Sequence, residues 1–188
     1  EWTKFWTEGT AWRSLGAMGV GGGITRYEVT IDAEMIIPVG GINPPLTRQQ
    51  TATNAITYET RDFDQTSIED AQFQVRSPLN WDLSAITIEI IWTALAGTGD
   101  VRWRPSAFAA GDDDAIDTAI LPSAAVALDT LIAAEDVHII SVTNTPVNTP
   151  AAGDIIFFNI RREANNATDT LNADANLIAV RLKFTTTA

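Results

Sequence analysis

The stretch Gly153-Asp154-Ile155-Ile156-Phe157-Phe158-Asn159-Ile160, a polar crossing, and then Leu177-Ile178-Ala179-Val180-Arg181-Leu182-Lys183-Phe184 decides the fold. The second apolar run places Ile178, Val180, Leu182 and Phe184 on one face and Ala179, Arg181 and Lys183 on the other. That is the two-residue period of a half-buried strand. The first run is apolar on both sides, as expected of a strand covered on both faces. Two such strands are not stable alone in water, so the rest of the chain must supply the sheet they pack against.

Working outward, the preceding segments repeat this pattern. Ile86, Ile88, Ile90 and Trp92 share one face of the clearest strand, and Val137 to Thr143 forms another. Further strands are expected at 55–60, with Ile56 and Tyr58 inward, and at 70–76, with Ala71, Phe73 and Val75 inward. Ile24 to Val39 alternates until Pro38 and Gly40-Gly41 end it, and residues 42–54 read as a polar loop. Thr98-Gly99-Asp100 reads as a hairpin turn into Val101-Arg102-Trp103-Arg104. Asp112-Asp113-Asp114 resembles a helix N-terminus, which predicts one helical turn near 113–119. Short strands separated by turns rich in Gly, Pro, Asn and Asp indicate an all-β, jelly-roll-like antiparallel β-sandwich. It is expected over 24–188, with its core at 55–187.

Residues 1–23 stand apart. They hold Trp2, Trp6 and Trp12, and glycines at 19, 21, 22 and 23. The expectation is an aromatic hairpin or arm on a glycine joint, with the three tryptophans packing on another surface during assembly. The opening Glu1-Trp2, without Met, reads as that of a mature or excised fragment.

Composition excludes several functions. The chain is 45% hydrophobic and only 19% charged, enough apolar material for a real core. Twelve basic against 24 acidic residues give a net charge of −12. That balance disfavours nucleic acid and anionic membrane surfaces, which require clustered Lys and Arg. No apolar run approaches the ~20 residues of a membrane span. Cysteine is absent, so disulfides and thiolate chemistry do not contribute.

No catalytic, cofactor-binding or metal residue is assigned. His138 is the sole histidine and has no histidine or cysteine partner for a zinc site. Asp112-Asp113-Asp114 lacks the spacing of a dedicated calcium loop, so capping is its expected role. The crossing from Asn165 to Asn176 is oxygen-rich, but Asn and Asp turn chemistry accounts for it. Arg161 and Arg162 are expected to pair with Asp169 or Asp174 and pin that crossing to the sheet. Trp81 and Trp103, at or near turns, are the candidate glycan contacts, set against a role bordering the core.

Two segments carry a resemblance. Glu1-Trp2-Thr3-Lys4-Phe5-Trp6 running into Gly9-Thr10-Ala11-Trp12-Arg13-Ser14-Leu15-Gly16 resembles the short aromatic hairpin of bacteriophage tail fibres and related virion appendages. The core, from Phe73 to Pro78 and Asn80-Trp81-Asp82 through Gly99-Asp100-Val101-Arg102-Trp103 to Asp169-Thr170-Leu171, is similar to a jelly-roll domain of phage minor structural proteins. The resemblance implies a non-enzymatic homotrimer on the exterior of the virion. Its partners would be its own copies, other virion proteins and a host surface glycan, and its role host attachment as a tail fibre or spike. A capsid decoration protein is one alternative. A carbohydrate-binding module of a secreted enzyme is another, and it predicts Trp81 or Trp103 exposed on one face and sugar affinity in a monomer.

Overall fold

A computed structural model of the protein describes residues 25–41, 43–119 and 125–187. The chain forms β1 (Thr25–Asp32), a 3-10 turn (Ala33–Met35), β2 (Ile37–Pro38), β3 (Leu46–Gln50), β4 (Thr57–Phe63), β5 (Ile68–Arg76) and β6 (Ile86–Thr93). It continues through β7 (Gly99–Trp103), β8 (Ser106–Ala110), β9 (Ala127–Leu131), β10 (His138–Asn144), β11 (Ile155–Glu163) and β12 (Ala175–Thr186). These strands make the expected all-β antiparallel sandwich of two six-stranded sheets. One sheet runs β10-β6-β12-β4-β3, with β1 also on β12; the other runs β2-β5-β11-β7-β9, with β8 on β11.

The two apolar runs of the C-terminal third are the central strands of opposite sheets. β12 is flanked along one edge by β6, and along the other by β4 and then β1. β11 has β5 along one edge, and β8 followed by β7 along the other. Their inner faces make the core. Ile86, Ile88, Ile90, Trp92, Leu177, Val180, Leu182 and Phe184 meet Ala71, Phe73, Val101, Trp103, Ile156, Phe158 and Ile160. Aromatic rings bind the layers: Trp92 meets Trp103 with centroids 6.4 Å apart, and Phe63 meets Trp103 edge-on at 5.1 Å.

Several local expectations are corrected. Residues 46–50 of the expected loop form β3, a polar edge strand paired with β4. No hairpin joins β6 to β7, because residues 94–98 cross from one sheet to the other. Gly99 permits this passage. Its φ is +114°, and a Cβ there would lie 2.3 Å from the Thr170 carbonyl oxygen. β4 has the opposite phase from that expected: Phe63 and Arg61 point inward, and Ile56 is 60% exposed. The ring of Phe63 against Trp103 sets the phase, and a one-residue shift turns every side chain over. Near 113–119 there is no helix. The Asp114 carboxylate accepts instead from the Gly111 N–H at 3.0 Å, closing a turn. β8 and β9 were not foreseen; β8 is buried along its whole length, so it shows no alternation.

Candidate functional site

The outer face of the β12 sheet carries the site, and an irregularity in β12 creates it. Leu177 pairs with Trp92 and Ala179 with Ile91, so Ile178 is an extra residue, a β-bulge. The bulge lets Leu177 and Val180 both point into the core. Ile178 is therefore turned outward and half-buried, against the inward place that strict alternation assigned to it. The sequence does carry a trace of this. Leu177-Ile178-Ala179-Val180 is four apolar residues in a row within an otherwise alternating strand.

Ile178 lies in a hollow of about 360 Å³ lined also by Thr51, Ile56, Tyr58, Thr93, Glu135 and Val137. Each wall is fixed. Tyr58 and Thr93 come from β4 and β6. Thr51 and Ile56 close the β3–β4 turn, where the Thr51 N–H donates to the Ile56 carbonyl at 3.0 Å and the Ile56 N–H to Thr51 Oγ1 at 3.0 Å. Glu135 and Val137 come from the β9–β10 connection, tied to the end of β6 by the Glu135 N–H on the Ala94 carbonyl at 2.9 Å. Burial, and then the carboxylates of Glu135 and Asp62, push the Tyr58 phenol above its ordinary pKa, so it stays a neutral hydroxyl. Thr93 is 1% exposed, and its hydroxyl is buried without a hydrogen-bond partner among the described residues.

Thr93 stands across the strands from Asn176, which is also buried and has Oδ1 without a partner. Asn176 Nδ2 donates to Asp62 Oδ1 at 2.6 Å, as does Thr60 Oγ1 at 2.6 Å, and Gln49 Nε2 reaches Asp62 Oδ2 at 3.4 Å. Asp62 and Asn176 line a second hollow of about 210 Å³ with Leu95, Ala96, Ala173 and Asp174. Farther along the same face Glu89 pairs with Arg181 and Lys183. Burial works against the Glu89 charge, but these two cations outweigh it and hold its carboxyl below the usual range.

The candidates read from sequence lie elsewhere. Trp81 is 3% exposed and Trp103 fully buried, so neither offers a ring face to a sugar, and the expected glycan contacts are corrected to core residues. Trp81 packs edge-on against Phe184 at 5.6 Å, and its Nε1 donates to the Ser84 carbonyl at 3.1 Å. Trp2, Trp6 and Trp12 lie outside the described residues. His138 is a buried residue of β10. It lies over Trp92 with ring centroids 4.8 Å apart, its Nδ1 is 3.8 Å from Asp129, and its Nε2 accepts the Ile132 N–H at 3.4 Å. Among the described residues no three His, Cys, Asp or Glu side chains are grouped to hold a metal ion.

The crossing between β11 and β12 has the structural role expected of it. Arg162 binds Asp169, while Arg161 turns instead to Asp70 with contacts of 2.9 Å. Asp169 Oδ2 also accepts the Arg102 N–H at 2.9 Å, Thr170 Oγ1 the Asp100 N–H at 2.9 Å, and Asn172 Oδ1 the Thr98 N–H at 2.8 Å. These oxygens serve the backbone of the β6–β7 passage.

No family model matches the chain, and no curated protein matches it. Similar solved structures include the carbohydrate-binding module TmCBM27, described for specific mannan recognition, with a TM-score of 0.40 and 8% identity over 85% of this chain and 98% of that one. Another is a family 11 carbohydrate-binding module from Clostridium thermocellum in complex with a beta-1,3-1,4-mixed-linked tetrasaccharide, at TM-score 0.37 and 6% identity over 87% and 96%. A structure described for promiscuous carbohydrate-binding modules of the β-sandwich superfamily gives 0.35 and 10% over 90% and 58%.

Proposed function

We propose that this protein is a non-catalytic binding module that takes a saccharide in the hollow beside Ile178. The observation that carries the reading is the combination found there. Ile56, Tyr58, Val137 and Ile178 offer apolar surface, with the neutral Tyr58 hydroxyl and the Glu135 carboxylate beside it. A pyranose is apolar on its ring faces and hydroxylated around its edge, so it suits such a mixture. Glu135 and Thr51 at the rim add orienting polar contacts.

The test is a glycan array of neutral hexose oligosaccharides, followed by titration calorimetry of the ligands it finds. Binding in the micromolar to millimolar range is expected, lost in Tyr58→Ala. Absence of any saccharide ligand, or binding indifferent to Tyr58→Ala, overturns the reading. The virion role implied by the resemblance concerns assembly, and stands as a second proposal because this sandwich would suit a displayed receptor-binding unit.

A further inference from the structure

β1 is an open edge. It pairs with β12 from Thr25 opposite Thr186 to Asp32 opposite Ala179, and among the described residues no strand lies along its other side. An edge strand presents a row of unpaired N–H and C=O groups, a template for a further strand unless something blunts it. The usual devices are missing here. β1 runs eight residues in one unbroken register, with no bulge, no proline and no lysine.

The core also reaches this edge without being closed there. Tyr27, Val29 and Ile31 stand opposite the core residues Phe184, Leu182 and Val180, so they point inward. The Tyr27 ring packs on Phe184 with centroids 6.1 Å apart, yet it is 44% exposed, and Val29 is only half-buried. Arg26, Glu28, Thr30 and Asp32 point outward and are exposed. Their cross-strand cations Arg181 and Lys183 are engaged by Glu89.

The sequence of this strand is complementary to itself. When two copies pair antiparallel, inward residues must meet inward ones, which leaves few registers. Centred on Val29, the pairing sets Tyr27 against Ile31, Glu28 against Thr30 and Arg26 against Asp32, and the two-fold axis repeats each pair. Centring on Glu28 puts that carboxylate against itself, and centring on Thr30 puts Glu28 against Asp32. Like charges directly opposite are destabilising, so both lose. Centring on Tyr27 leaves Thr30 to Asp32 unpaired.

We propose that two copies of this chain dimerise through β1, antiparallel about a two-fold axis at Val29, so that the two β12 sheets become one continuous sheet. The partner's Ile31 covers the open side of Tyr27, and the partner's Asp32 neutralises Arg26. The interface is independent of the saccharide reading. It calls for a dimer where the virion resemblance implies a trimer.

The test is size-exclusion chromatography with light scattering on the full chain at micromolar concentration, where a dimer is expected. Arg26→Asp and Asp32→Arg should each weaken that dimer at least about tenfold, because each turns an attraction into a repulsion at both ends of the interface. Combining Arg26→Asp with Asp32→Arg exchanges the charges and should restore it. Far-UV circular dichroism establishes that each variant is folded. A wild-type monomer or trimer overturns the proposal. So does a dimer indifferent to the single reversals, or one that the folded double variant does not recover. If the wild type is a monomer, slow amide hydrogen exchange along Thr25–Asp32 would assign the edge to another part of the same chain.

Discussion

Arg162 donates through Nε and Nη2 to the two carboxylate oxygens of Asp169, at 3.1 and 3.0 Å, with both side chains shut away from solvent. The same guanidinium donates to the carbonyls of Phe63, Ala173 and Leu171 at 2.9–3.0 Å. One side chain of β11 thus holds the end of β4 and the crossing into β12. Every guanidinium nitrogen has a partner, the condition under which a buried charge is tolerated.

Removing one member of this pair should therefore be severe. Asp169→Asn leaves Arg162 as an uncompensated buried cation and is expected to cost about 3–5 kcal/mol. Urea unfolding measures it. A loss below about 1 kcal/mol would show that water reaches the guanidinium and that the pair does not organise the crossing.

Thr93→Val should separate stability from binding. The hydroxyl has no partner, so its removal relieves a desolvation cost and should stabilise the free protein by about 1 kcal/mol. Saccharide affinity should hold, since the hydroxyl is shut away from the hollow. Thermal unfolding without ligand, together with calorimetry, checks both. A destabilised variant would mean that ordered water already satisfies Thr93.

Deletion of Ile178 should leave a folded protein. Without it, Leu177 opposite Trp92 and Ala179 opposite Ile91 become consecutive in one regular ladder, and Val180, Leu182 and Phe184 keep their inward places. The hollow loses its floor. Retained β-sheet circular dichroism and cooperative melting with abolished binding is the expected result. An unfolded product would show that the bulge is needed for the β4 and β1 pairings.

Trp103→Ala should destabilise by about 3–5 kcal/mol, the cost of deleting a large buried aromatic. Its ring is enclosed by Phe63 and Trp92, and its Nε1 has no hydrogen-bond partner. Trp103→Phe should be milder, since no hydrogen bond is lost, and should leave saccharide affinity unchanged. A change in affinity would return this residue to the binding surface.

Acid should destabilise the protein through two carboxylates. Burial disfavours the charges of Glu89 and Glu163, yet the Lys183–Arg181 and Arg102–Arg104 pairs outweigh it and lower both pKa values from 4.5. A carboxyl with a depressed pKa in the folded state contributes stability that is present above its unfolded value and lost as pH falls through the folded one. Glu69, raised mainly by burial, works the other way. Urea midpoints should fall below about pH 4.5, and Glu89→Gln should flatten that limb. An unchanged limb in Glu89→Gln would assign acid sensitivity to other groups.

The assembly expectation is checked by size-exclusion chromatography with light scattering. A trimer supports the virion proposal, and a monomer at micromolar concentration overturns it.

Much of this was legible because a strand states its own faces. The alternation at Ile86, Ile88, Ile90 and Trp92 places each of them inward, and each is fully buried. One of the two arginine links was legible: Arg162 pairs with Asp169 as expected, while Arg161 goes to Asp70, which only the strand register places opposite it. β8 was not legible, because Ser-Ala-Phe-Ala-Ala is buried at every position and shows no period. Tyr58 was assigned inward because nothing in residues 55–60 reveals that Phe63, three residues beyond, sets the phase.

Short-range pattern by itself determined that this chain is a β-sandwich with an oxygen-rich crossing pinned by arginine, since side-chain alternation and turn chemistry are local properties. Only the tertiary structure decided which strands are neighbours, that Ile178 is the extra residue, and that Tyr58 lines the hollow beside it. Alternation tells a residue which side of its strand it occupies, but not which strand lies beside it. A one-residue bulge reverses even the first of these, and the hollow exists because of that reversal.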